Sequence, residues 1–128
     1  MLAPSSRGNG RGLFTADGEG RFWFRTVVPG YYPIPTDGPV GELIRATGRE
    51  GFRPAHVHFI VTAPGHHDLT THAFVAGSEY IESDAVFAVK KSLIVDFAEK
   101  DDPALARQWD VPVPFRHADI EIVMQPAS

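Results

Sequence analysis

An all-β sandwich or barrel is the fold class that this 128-residue sequence predicts, and three observations carry the prediction. Short runs rich in β-branched and aromatic residues recur along the chain, 12 glycines and 11 prolines punctuate them, and several of the runs alternate apolar and polar residues in period two. At 43% hydrophobic and 22% charged residues, the chain suits one domain around one core. Residues 1–12, small and containing Arg and Gly, are expected to form a flexible leader, and residues 13–128 a single domain.

The elements follow in order. Aromatic and β-branched residues on both sides of Asp17-Gly18 predict a hairpin over residues 13–28. The prolines of Val28-Pro29-Gly30-Tyr31-Tyr32-Pro33-Ile34-Pro35 fix φ and exclude helix, so the backbone there is extended and stiff. Residues 43–47 hold an apolar pair ended by Gly48, too brief for a stable helix, and predict a loop with one turn at most. A strand is expected from His56 through Thr62, stopping at Ala63-Pro64-Gly65, and another from Leu69 to Val75, ending at Ala76-Gly77. Ser83-Asp84 precedes apolar residues as a cap would, predicting one short helical turn. Residues 92–97 and 119–124 alternate in period two, as half-buried strands do. Between them Trp109 reads as a core or edge anchor, not a substrate platform.

Composition narrows the function. With no cysteine there is neither a disulfide framework nor a thiolate site, so any metal must be held by nitrogen and oxygen. A formal charge of −4 without basic runs argues against nucleic acid and for a small-molecule partner. No stretch is apolar for long enough to cross a bilayer, and residues 1–7 lack the apolar segment of a signal peptide, so a soluble cytoplasmic protein is expected.

The most informative segment is Arg53-Pro54-Ala55-His56-Val57-His58-Phe59. On a strand, side chains at i and i+2 share a face, so His56 and His58 present two imidazoles to one point. That arrangement is either a metal chelate or a pair of structural histidines, and taken alone it suits zinc as well as any other metal. A phenolate from the proline-stiffened Tyr31-Tyr32 stretch is a plausible third ligand.

Tyr32-Pro33-Ile34-Pro35-Thr36-Asp37-Gly38-Pro39-Val40-Gly41, then Arg53-Pro54-Ala55-His56-Val57-His58-Phe59, then Thr70-Thr71-His72 and Ser83-Asp84-Ala85-Val86-Phe87 together resemble the intradiol ring-cleavage dioxygenases, and within them the hydroxyquinol 1,2-dioxygenases most. The resemblance runs from about residue 20 to 97. It implies a mixed β-sandwich with iron at one end, with Tyr32, His56 and His58 as ligands; a hard phenolate beside two imidazoles suits Fe(III). Tyr31 would then point to the other side and pack. The resemblance further implies a substrate of the hydroxyquinol or catechol type, opened by O2 between its hydroxyl-bearing carbons to a maleylacetate- or muconate-type product. Arg53 would stabilise negative charge at the ring, and His72 would serve as a donor or acid–base group behind the ligands. His66 and His67 fall in a solvated loop, and His117 has no assigned role.

The family pattern also has an upstream tyrosine ligand, on a segment resembling W-x-x-x-x-x-G-x-Y, preceded by a helical segment that builds a homodimer. These 128 residues hold neither, so weaker iron binding, dimerisation and turnover are expected. Two other classes fit the same residues: a metal-binding sandwich with little or no activity, and a binding module whose histidines are structural.

Overall fold

The computed structural model describes residues 10–127; most of the expected leader, residues 1–9, lies outside the described residues. Short strands dominate, as expected. β1 (Tyr32–Pro33) precedes α1 (Pro39–Ala46) and pairs antiparallel with β2 (Phe52–Arg53), which sets Tyr32 opposite Arg53. β3 (His56–Val61) and β4 (Leu69–Val75) form an antiparallel hairpin around Pro64-Gly65, and β5 (Ile94–Val95) adds to β4 in parallel. β6 (Ala98–Lys100) pairs antiparallel with β7 (Phe115–His117), with α2 (Pro103–Trp109) between them. Both pairing directions occur, which makes the strand set mixed.

Two helices replace what the sequence predicted as a loop and an unassigned stretch. In α1, Pro39 occupies the first turn, where its missing N–H costs nothing. The helix ends in a Schellman arrangement: Gly48 N–H reaches the Arg45 carbonyl at 3.0 Å and Arg49 N–H the Ile44 carbonyl at 3.3 Å, with Gly48 at φ +67°. Gly41 is buried so close to Thr36 that a Cβ would run into its carbonyl. α2 begins at Asp102, whose carboxylate accepts from the N–H groups of Ala104 and Leu105 at 2.9 and 3.0 Å. Its last residue, Trp109, packs on Phe115 and stacks on His117, the anchor role expected of it.

Three predicted elements differ. The Asp17 turn forms, with Asp17 N–H bonded to the Arg21 carbonyl at 2.9 Å, but no strand is assigned over residues 13–28. Phe24 stacks with Phe14 and Phe22, and Phe22 and Phe24 pack on Phe59 of β3, in place of a backbone ladder. Residues 119–124 likewise form no strand pair among the described residues. A cleft of about 250 Å³, lined by Leu69, Thr71, Leu93, Ile120 and Ile122, lies between this segment and β4, and the chain returns to hydrogen bonding only where His67 N–H meets the Gln125 carbonyl at 2.9 Å. Of the run 92–97, only Ile94 and Val95 pair, because Lys91–Leu93 closes a 3-10 turn first. The helical turn expected after Ser83 is a single hydrogen-bonded turn, Phe87 N–H to the Asp84 carbonyl, and ends at Phe87 with φ +55°.

The core gathers around β3 and β4. Phe74 and Pro54 are fully buried, with Ala55, Ala73 and Ala85 beside them. The buried centre of the fold therefore lies behind His56 and His72.

Candidate metal centre

β3 places His56 and His58 on one face by strand parity, and its register with β4 sets His72 opposite His58 and Phe74 opposite His56. Three imidazoles thus share one patch, with His56 buried, His72 half-buried and His58 exposed. One ligand atom from each lies within 4.8 Å of the others. Phe74 floors the cluster, with ring centroids 5.3 Å from His56 and 5.4 Å from His72.

The proton positions follow from the partners. His56 Nδ1 lies 2.7 Å from the Pro54 carbonyl, which only accepts, so Nδ1 carries the hydrogen and Nε2 presents its lone pair. Two groups face that lone pair: His58 Nε2 at 3.1 Å and Arg53 Nη1, which donates to it, at 3.2 Å. Burial, with charge repulsion from Arg53 and from the neighbouring His58 site, lowers the His56 pKa although the Pro54 carbonyl opposes them. Burial first, then His58, His56 and Arg53, push His72 down to about 4. His56 and His72 are therefore held neutral, the form a metal ligand needs.

The donor set fits a metal ion. Two imidazole nitrogens, each about 2.1 Å from one ion, stand roughly 3.0–3.4 Å apart. The observed 3.1 Å separation falls in that range, and the His56 lone pair already attracts a cation.

Arg53 and Tyr32 border the cluster. The Arg53 side chain is almost wholly buried, and its guanidinium donates to Asp84 through Nε at 3.0 Å and Nη2 at 3.4 Å. Burial works against its charge, but Asp84 and the Tyr32 phenol outweigh that and raise its pKa. The Tyr32 ring sits 5.6 Å from His56. Tyr31 faces away, against Tyr80 at 5.1 Å and Phe52 at 5.9 Å, and its hydrogen bond to Glu79 raises its pKa. The structure thus brings Tyr32, Arg53, His56, His58 and His72 into one neighbourhood and keeps Tyr31 out. His66 and His67 are exposed in the β3–β4 loop, and His117 lies 3.6 Å from Asp119 beneath Trp109. Sequence reading missed Asp84 as a site residue. Its signals were the cap-like Ser83-Asp84 before apolar residues and its place in the Ser83–Phe87 motif, neither of which marks an ion pair 31 positions away.

Comparison with known proteins sets the class. The Dioxygenase family model (Dioxygenase_C) matches residues 3–126, and the chain belongs to the intradiol ring-cleavage dioxygenases. Within that class, it is 52% identical over 101 residues to the 6-chlorohydroxyquinol 1,2-dioxygenase of Cupriavidus pinatubonensis, covering 79% of this chain and 37% of that protein. It is 53% identical over 100 residues to the hydroxyquinol 1,2-dioxygenase of a Rhizobium species, covering 78% and 34%. Among solved structures, the hydroxyquinol 1,2-dioxygenase of Pseudomonas putida DLL-E4 superposes with a TM-score of 0.69 at 47% identity, over 78% of this chain and 35% of that one. The catechol 1,2-dioxygenase of Pseudomonas arvilla C-1 superposes with a TM-score of 0.76 at 38% identity, over 87% and 36%. These neighbours are β-sandwiches, and this chain shares the fold. The chain spans about a third of the length of the relatives it matches.

Proposed function

We propose that residues 13–128 form one domain carrying the metal centre of a ferric intradiol dioxygenase, which opens the ring of hydroxyquinol in preference to catechol and uses O2. The observation that carries this reading is the 3.1 Å approach of the His56 and His58 Nε2 atoms, with the His56 proton locked at Nδ1 by the Pro54 carbonyl and Tyr32 alongside. Tyr32, His56 and His58 are the proposed ligands, a phenolate with two imidazoles, and this hard donor set favours Fe(III). When bound, Fe(III) would supply Lewis acidity toward the ring oxygens of the substrate.

The chain's own residues do the rest. Pro54 fixes the His56 tautomer through its carbonyl. Arg53, which stays charged, holds a cation beside the ring and stabilises the negative charge that develops there. His72, kept neutral and resting on Phe74, acts as a hydrogen-bonding partner behind the ligands. The product would be of the maleylacetate type from hydroxyquinol and of the muconate type from catechol. The preference for hydroxyquinol is supported by identities of 52 and 53% to relatives of that name, against 40% to the catechol 1,2-dioxygenase of Acinetobacter baylyi. A homodimer belongs to the same reading, supported by the outer edge of β3, which is unpaired among the described residues, and by the exposed Ile60 on that strand.

The test is Fe(III) titration of the chain and of Tyr32→Phe, read by metal analysis and by the visible tyrosinate-to-iron band, with oxygen uptake on both substrates. One ion per chain and a band that Tyr32→Phe abolishes are expected. A band that persists in Tyr32→Phe removes that ligand, and uptake with catechol at or above that with hydroxyquinol removes the substrate preference.

A second reading rests on one observation, that His56, His58 and His72 each bring a ligand nitrogen within 4.8 Å of the others. In it the three imidazoles hold a borderline metal such as zinc and Tyr32 takes no part.

A further inference from the structure

Asp84 is the one buried carboxylate among the described residues, and its turn is tied to β2 from several directions. Ala85 N–H donates to the Phe52 carbonyl at 2.9 Å. Arg49 Nη2 donates to the carbonyls of Asp84 and Ala85, both at 3.0 Å, while its guanidinium lies 3.7 Å over the Phe87 ring. The carboxylate itself accepts from Val86 N–H at 3.4 Å and Ala88 N–H at 2.8 Å, which fixes its plane. These ties deliver one anion to one edge of the Arg53 guanidinium, the Nε and Nη2 edge. Nη1 faces the cluster, and it meets His56 Nε2 at 3.2 Å.

We infer that Asp84 is a positioning residue for the metal centre: by gripping one edge of Arg53 it fixes how much cationic charge, and which N–H, the guanidinium presents to His56 and Tyr32. The inference rests on the proposed metal site. Its physical basis is that a buried guanidinium with a single carboxylate partner cannot lose that partner without seeking another. The nearest acceptors are the His56 lone pair and the Tyr32 phenol, the groups proposed as ligands. Without Asp84, an unneutralised positive charge competes with the metal for the same lone pair. Partners behind metal ligands typically change affinity by about 10–100-fold.

The experiment compares the wild type, Asp84→Asn, Arg53→Gln and the double variant by Fe(III) titration, by the position of the visible band, and by circular dichroism for folding. Asp84→Asn is expected to bind about tenfold or more weakly, with a shifted band, because it removes the charge while keeping an acceptor for the turn. In the Arg53→Gln background, Asp84→Asn is expected to change affinity by less than about threefold, since its effect runs through Arg53. The double variant leaves no unpaired buried charge, so this comparison stands even where Asp84→Asn alone does not fold. A metal-free readout accompanies it. In the wild type, the Arg53 Nε–H should give a slowly exchanging proton signal by NMR, and Asp84→Asn should lose that signal where it folds. Equal affinities and bands in the wild type and Asp84→Asn would overturn the inference. So would a full effect of Asp84→Asn in the Arg53→Gln background, or fast exchange at Arg53 in the wild type. A wild type that binds no metal overturns the proposed function instead, and the NMR arm still decides whether Asp84 grips Arg53.

Discussion

His72 separates the two sets of ligands that the cluster allows. It sits opposite His58 across the β3–β4 ladder, with ring centroids 4.3 Å apart, and is held neutral to a pH of about 4. If Tyr32, His56 and His58 hold the ion, His72→Gln keeps about one metal per chain and loses affinity by no more than about the 10–100-fold expected for a partner behind the ligands. Isothermal titration with Fe(III) and Zn(II) checks this, and complete loss of stoichiometric binding would establish the three-histidine site. Strand parity made His56 and His58 legible as a pair from sequence alone. Asp84 was not legible, because nothing in a lone Ser-Asp before an apolar run says that its carboxylate will be buried against an arginine 31 residues earlier.

At the scale of elements, the helices show where local signals were underread. Asp102, Pro103 and the apolar residues after them carry a complete N-terminal signature, and the structure uses it: Asp102 receives two backbone N–H groups. Asp102→Ala should therefore lower stability by about 1 kcal/mol and Asp102→Asn by much less, both measured by urea denaturation. An unchanged midpoint for Asp102→Ala would mean that α2 is held by Trp109 and its neighbours alone. The failed strands at 13–28 and 119–124 have the opposite cause. The β-prone composition of the first and the alternation of the second are real, but a strand exists only where a neighbour accepts its hydrogen bonds, and among the described residues none is in register with them.

For the whole molecule, the tie between residues 84–88 and β2 couples the integrity of the site to acid stability. Burial alone would raise the Asp84 pKa, but the hydrogen bonds and charge of Arg53, with the Ala88 and Val86 N–H groups, outweigh it and leave the pKa below the ordinary 3.8. A carboxylate whose folded pKa is depressed contributes its full stability above the unfolded value and loses it as pH falls through the folded one. The chain should accordingly hold its stability down to about pH 4 and lose it progressively below, and Asp84→Asn should flatten that part of the curve. Urea unfolding at stepped pH measures both. A wild type whose acid limb matches that of Asp84→Asn would show that other carboxylates set it.

What the sequence determined by itself is what depends on one residue's backbone geometry. The period of two put His56 and His58 on one face, adjacent positions sent Tyr31 and Tyr32 to opposite sides, and Pro64-Gly65 closed the hairpin between β3 and β4. The tertiary structure decided what depends on closure between distant segments. It set His72 across from His58 rather than one residue away, brought Asp84 against Arg53, and packed Phe22 and Phe24 as rings on Phe59 instead of pairing their backbones. Parity is written into each dihedral angle, whereas register and buried ion pairs are fixed only when the whole core packs and every buried polar group must find its partner.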